Sequence, residues 1–230
     1  TPERPADDIT VQHPVLIAGF GHFGSVVGRF LAAHGVKATV LDVSAENVEQ
    51  LRRLGFEVHY GDASRFDLLR IAGAERARLL VVATGEWDAT LAIVRTARRH
   101  FPQLPIYARA LGRFHAYELL EAGAHHVYRD TLDTSLRLGV EALTAMGVRA
   151  HQAHRTAQAF RRADEQSVHE LLLLRHDKAA YVATARERIR ALEERLFAEM
   201  GRPQPLDEEA WDAESLREEF APSSSGAPPA

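Results

Sequence analysis

Within VLIAGFGHFGSVVGRFLAAHG, residues 15–35, Gly19, Gly21 and Gly24 fall in G-x-G-x-x-G spacing between an apolar run and a helical pattern. That spacing suits a backbone that must come close to a phosphate. Gly19 would permit a tight turn, Gly21 the close approach, and Gly24 the contact of helix with strand. Phe20, His22 and Phe23 lie between them, and the following helix would offer unpaired N–H groups and the positive end of its dipole to an anion. The same glycines could serve helix-on-sheet packing with no ligand, and the motif alone does not separate the two.

Other positions fall where a nucleotide needs them. Asp42 closes TVLD at the distance from the glycine loop at which a carboxylate accepts the hydroxyls of an adenosine ribose. Val43 and Ser44 follow, with no basic neighbour for a 2′-phosphate, so AMP, ADP, ATP or NAD(H) is expected rather than NADP. Asp62 and Ala63 in YGDAS end the third apolar run, where Asp62 would address the adenine or cap a helix. Thr84 and Gly85 end the fourth run and Arg109 the fifth; Arg109 would meet phosphates or pair with a nearby carboxylate.

These residues require elements that bring them to one edge. VLIAG, KATVLD, EVHYGD, RLLVVAT, PIYARA and HHVYR read as six strands, VLIAG as a buried central one, separated by five helical connections. Ser44 would open a helix closed by Gly55, and Gly35 would close the one before. The alternation predicts an α/β fold, a Rossmann-like doubly wound parallel six-stranded sheet over residues 14–130, with a C-terminal helical extension. Over residues 131–200, Leu132, Leu136, Val140 and Leu143 line one helix face. The four leucines of ELLLLR should be largely enclosed, and Val182, Ala185, Ile189, Leu192 and Leu196 fit either a short coiled coil or packing onto the domain. Residues 1–13 read as a linker, and 201–230, rich in proline and acidic side chains, as a disordered tail.

Composition narrows the function. A formal net charge of −4 argues against nucleic-acid binding, and the lack of cysteine excludes disulfides, thiolate metal sites and cysteine nucleophiles. No metal site is expected: His125 and His126 are adjacent on a strand, and His151 and His154 lack a further ligand at useful spacing. Neither an apolar run long enough to span a membrane nor a secretory leader is present. A chain starting at Thr1 suggests processing or a fragment of something larger. An NAD-dependent oxidoreductase would need an acid or base over a nicotinamide, for which His115 and Arg109 could be drafted although both fit a gate or a structural role better, and the helical extension is meagre for a substrate domain.

The run from VLIAGFGHFG to RLLVVAT resembles the regulatory nucleotide-binding (RCK/KTN) domain of potassium transport proteins. YGDASRFDLLRIAGA, YARALGRFHAYELLEAGA and AFRRADEQSVHEL are most similar to the cytoplasmic C-terminal domain of Kef-type, glutathione-gated potassium/proton antiporters. The likeness covers residues 14 to about 197. It implies a non-catalytic gate: a homodimer joined through residues 132–147, with AMP or a related adenine nucleotide in each cleft. It also implies a transmembrane exchanger preceding Thr1, a site on the cytoplasmic side of the bacterial inner membrane, and in some members an ancillary oxidoreductase subunit. A separate soluble subunit of a potassium transporter would look the same. Of the family's glutathione contacts, the glycine-loop arginine falls at His22 and the asparagine after FRR at Asp164, while the arginine before the crossover helix is kept as Arg129. An acid in place of that asparagine should repel glutathione's carboxylates, so the glutathione response is expected to be weak or absent. The nucleotide is expected to act as a structural brace and the switch to lie between subunits, near Arg129 and residues 153–170. Loss of Asp42 should then lower thermal stability only when AMP is present.

Overall fold

The computed structural model describes residues 5–200, and there strands and helices alternate as their patterns require. The first half carries β1 (Val15–Ala18), α1 (His22–Ala33), β2 (Ala38–Asp42), α2 (Ala45–Arg53), β3 (His59–Tyr60) and α3 (Phe66–Ile71). The second carries β4 (Leu79–Val82), α4 (Trp87–His100), β5 (Ile106–Ala110), α5 (Arg113–Ala122) and β6 (His126–Arg129). Three helices, α6 (Asp130–Ala145), α7 (Ala150–Leu172) and α8 (Lys178–Met200), complete the described chain. The strands form one six-stranded sheet, all of it parallel, in the order β3-β2-β1-β4-β5-β6. The direction in which successive strands are added therefore reverses between β1 and β4, the switch point at whose carboxyl edge doubly wound sheets form a crevice.

Successive residues of each strand feed opposite faces. Leu16 and Ala18 enter a core shared with Leu80, Val82, Ile106, Ile93 and Leu119, whereas Val15 and Ile17 enter a second core with Val40, Val48, Leu51 and Val81. Both faces are thus covered, which is why the central strands are apolar at every position. Some helix boundaries have a local cause. Ser44 accepts the Asn47 amide at 3.2 Å to cap α2, and Gly35 and Gly55 turn the chain out of α1 and α2 at φ of +75° and +88°.

Several elements depart from the sequence pattern. β3 is only two residues long, because Gly61 turns the chain away as soon as its amide has bonded Asp42 O at 2.8 Å. Of the four leucines in ELLLLR, Leu171 is in the core but Leu173 is 83% exposed, since α7 ends at Leu172 and the chain leaves the surface. α8 packs on α7 through partly buried Tyr181 and Ala185 and leaves Ile189 in solvent; it is an appended helix with no second strand of a coiled coil against it among the described residues. Tyr181 fixes its start through a 3.2 Å hydroxyl contact with Tyr117, whose own ionisation is pushed up to about 12 by burial and by that contact. The proposed tail, 201–230, lies outside the described residues.

His59 on β3 gives a small pH handle. Burial pushes it below its ordinary 6.5; Glu57 and Asp7 oppose that shift, while Arg52 and His13 add to it. The folded chain prefers the neutral ring, so this contribution is complete above the unfolded value and is lost as pH falls through the lower folded one. Replacing His59 with glutamine should therefore shrink the fall in Tm between about pH 7 and 5, by about 2 °C or less, in a differential scanning series.

Candidate functional site

Gly19 leaves β1 at φ +91°, and a side chain there would meet the Thr84 amide nitrogen at 2.8 Å. At Gly24 the intrusion would be worse, 2.0 Å from Gly19 O, so both residues are glycine for reasons internal to the fold. Gly28, outside the motif, makes room for the Phe20 ring, which is buried against Phe56. Phe20 accordingly offers the site its backbone only.

Gly21 is different. It is the N-cap of α1 in an extended conformation, and a β-carbon added there would meet nothing within 4 Å. No side chain caps α1 and no acid lies in its first turn. The first helical amides are therefore left without a side-chain cap beside open space at Gly21, an arrangement suited to a phosphate.

Around that opening the strand ends bring together most of the residues marked by sequence. Asp42, 9% exposed, accepts the Phe20 amide at 2.8 Å and the Asn47 side-chain amide at 3.0 Å on Oδ2, and the Ser44 amide at 2.9 Å on Oδ1. A carboxylate offers about four lone-pair directions, so Oδ1 retains one. Asp42 is therefore both a strut of the glycine loop and an acceptor with one place left, rather than a carboxylate free for two hydroxyls. Val43 beside it is exposed, and Asp62 and Ala63 follow β3 at the same edge. Asp62 accepts the Ser64 amide at 2.8 Å in the turn ahead of α3, whose N-cap is Arg65, so of its two expected roles it does not cap that helix. Ala63 belongs to the core.

Across the crevice, the Thr84 hydroxyl pairs with that of Thr90 at 2.6 Å, which fixes the chain as it passes Gly85 into α4. Arg109 lies over the Phe23 ring at 5.1 Å and is held by Asp130 through bonds of 2.7 to 3.0 Å. The Asp130 hydrogen bonds raise its pKa above the ordinary arginine value. Of the two roles open to Arg109, the ion pair is the one formed. His115, the other candidate for dehydrogenase chemistry, is stacked on Trp87 with centroids 3.9 Å apart and planes 9° apart.

The three effector candidates divide. His22 is exposed at the start of α1. Arg129 and Asp164 are brought together, with Arg113 as a third member: both guanidinium groups donate to the Asp164 carboxylate, one to each oxygen, and Arg113 also donates to Ser167 at 3.1 Å. Arg129 and Asp164 side chains are only 12% and 13% exposed. The expected bare acid is thus a neutralised one that occupies two cations. Arg113, Asp130 and Asn47 were not legible as site residues. Asn47 stands at the capped start of α2, where its amide bond to Ser44 was foreseeable, but its side-chain reach back to Asp42 was not. Among the described residues no group of histidines and acids is arranged for a metal, and no helix is long and apolar enough to cross a membrane.

Comparison with known proteins adds an independent line. The family described as TrkA-N domain matches residues 15–130, and the potassium efflux system KefB C-terminal domain matches residues 134–213. Among solved structures, the chain is similar to the Shewanella denitrificans Kef CTD in AMP bound form, at 45% identity, covering 70% of this chain and 98% of that one with a TM-score of 0.63. It is also similar to the TrkA-N domain of the inner membrane protein ybaL from Escherichia coli, at 27% identity, covering 59% and 99% with a TM-score of 0.52. The GsuK channel bound to NAD shares the fold, at 23% identity over 60% of this chain and 25% of that one, with a TM-score of 0.53.

Proposed function

The chain belongs to the TrkA-N domain family, with a KefB C-terminal domain following, and from this we propose that it is a ligand-binding regulatory domain of a potassium/proton efflux transporter, holding an adenine nucleotide, AMP or NAD(H), at the glycine loop. The observation that carries the reading is Gly21. Packing accounts for Gly19 and Gly24, but among the described residues nothing comes within 4 Å of a β-carbon built at Gly21, and no side chain caps the start of α1. In this reading that space takes the phosphate, Oδ1 of Asp42 takes one ribose hydroxyl, and exposed Val43, with no cation beside it, favours an unphosphorylated ribose. AMP in the Shewanella relative supports the same choice.

The role is binding rather than catalysis, with the transporter domain on the cytoplasmic side of a membrane as partner. Pairing of two copies through α6 is supported by the exposure of Leu138 and Met146, at 69% and 84%. Glutathione is weakly held in this reading, because Asp164 already engages Arg113 and Arg129.

Replacing Gly21 with alanine tests the assignment. Its backbone is in a region alanine adopts and its β-carbon meets no neighbour, so Tm without ligand should be unchanged or slightly raised. AMP affinity by calorimetry should fall about tenfold or more, a loss of at least about 1.4 kcal/mol. Unchanged affinity for AMP and NAD(H), or no binding by the parent chain, would remove the reading.

A further inference from the structure

Residues 5–13 have neither helix nor strand, yet they are fastened along their length. β3 is an edge strand that pairs with β2 alone, which leaves its outer backbone groups to be satisfied from elsewhere. Asp7 supplies both: its amide donates to Tyr60 O at 2.9 Å, and its carboxylate accepts the Tyr60 amide at 2.5 Å. Arg52, on the last turn of α2, donates to the same carboxylate at 2.7 Å and to Val58 O at 2.9 Å. Ile9 packs against the core. Further along, Gln12 donates to Ile71 O at 2.8 Å and accepts from Arg76 at 2.6 Å, and the His13 amide bonds the Thr39 hydroxyl at 3.0 Å.

The corner that Asp7 grips is the corner that ends in Asp42. Asp42 is registered against Tyr60, Gly61 bonds Asp42 O, and α2, which carries Arg52 at its far end, begins with Ser44 and Asn47 bonded to the Asp42 carboxylate. We propose that residues 5–13 are a detachable strap whose attachment through Asp7 is thermodynamically linked to nucleotide occupancy. The proposal rests on the nucleotide reading above. A ligand on Asp42 and a strap on Tyr60 and Arg52 order the same β2–α2–β3 corner from opposite sides, so each lowers the ordering cost met by the other. Linkage makes this reciprocal: nucleotide tightens the strap, and the strap tightens nucleotide. Side chains supply most of the fastening, so it can be released without breaking the sheet.

Hydrogen exchange on the full chain, with and without saturating AMP, tests the first half. AMP should slow exchange of the Asp7 and Tyr60 amides relative to amides of α7. Calorimetry tests the second: Asp7→Ala should weaken AMP binding about fivefold, the lower end of common coupling factors, whereas Asp8→Ala, the same charge change on an exposed neighbour, should not. Binding of AMP with no change in strap exchange, and equal affinity in Asp7→Ala, would overturn the linkage and leave the nucleotide site standing. Absence of any AMP or NAD(H) binding by the parent chain would overturn the nucleotide reading and the linkage together.

Discussion

Alanine in place of Asp42 is expected to weaken AMP binding by roughly 10- to 100-fold and, contrary to what a pure ribose contact would do, to lower the stability of the ligand-free chain as well. The first effect is the loss of one charge-assisted hydrogen bond from a ribose hydroxyl, about 1.5–3 kcal/mol. The second follows from what Asp42 holds inside the protein. Its carboxylate accepts the amides of Phe20 and Ser44, one on the glycine loop and one at the start of α2, and the side chain of Asn47. Removing it leaves the buried Phe20 amide unanswered at about 1–3 kcal/mol, while the part-buried Ser44 and Asn47 donors turn to water. A fall in Tm with and without AMP therefore no longer argues against the ribose assignment. The deciding measurement is the dissociation constant, taken well below the unfolding transition. An unchanged constant in a folded Asp42→Ala chain would show that ribose is held elsewhere. Asp42→Asn separates the roles further, since an amide keeps one acceptor for Phe20 while losing the charge.

The second large effect is expected at Asp164. Its carboxylate lies between Arg113 and Arg129, and all three side chains are mostly withdrawn from water. Removal of one partner from such a group leaves uncompensated buried charge and costs about 3–5 kcal/mol. Alanine at 164 should therefore lower Tm by about 6–20 °C in a chain of this size. Asparagine should cost less, because its oxygen can still accept from one arginine. Asparagine should also release the other arginine, and glutathione binding, proposed above to be weak in the parent chain, should become measurable by calorimetry. Micromolar glutathione binding by the parent would contradict the proposal that Asp164 closes this site. A gain of binding in Asp164→Asn would show that weak glutathione binding comes from a self-supplied carboxylate rather than from missing cations. That distinction was not available from the sequence, which showed an acid where an amide was expected and so suggested simple repulsion.

The sequence by itself determined the alternation of strands and helices, the doubly wound sheet, the helix-ending glycines and the identity of the loop that faces the crevice. These are local matters: side-chain periodicity, φ restrictions and the spacing of three glycines act over a few residues and leave their mark in order along the chain. Only the tertiary structure decided who pairs with whom. In sequence Arg109 and Asp130 are 21 residues apart, yet the β5–β6 register puts Ala110 opposite Arg129 and so brings Asp130 to Arg109. Asp164 reaches Arg113 and Arg129 across 51 and 35 residues, once α7 has packed back on α5 and α6. Gly21 could be told from Gly19 and Gly24 only by the empty space above it. The segment before β1 reads as a plain linker until β3 is seen to present an unsatisfied edge for Asp7 to meet. A carboxylate's partner is chosen by distance in space, and folding sets that distance through the packing of elements far apart in the chain.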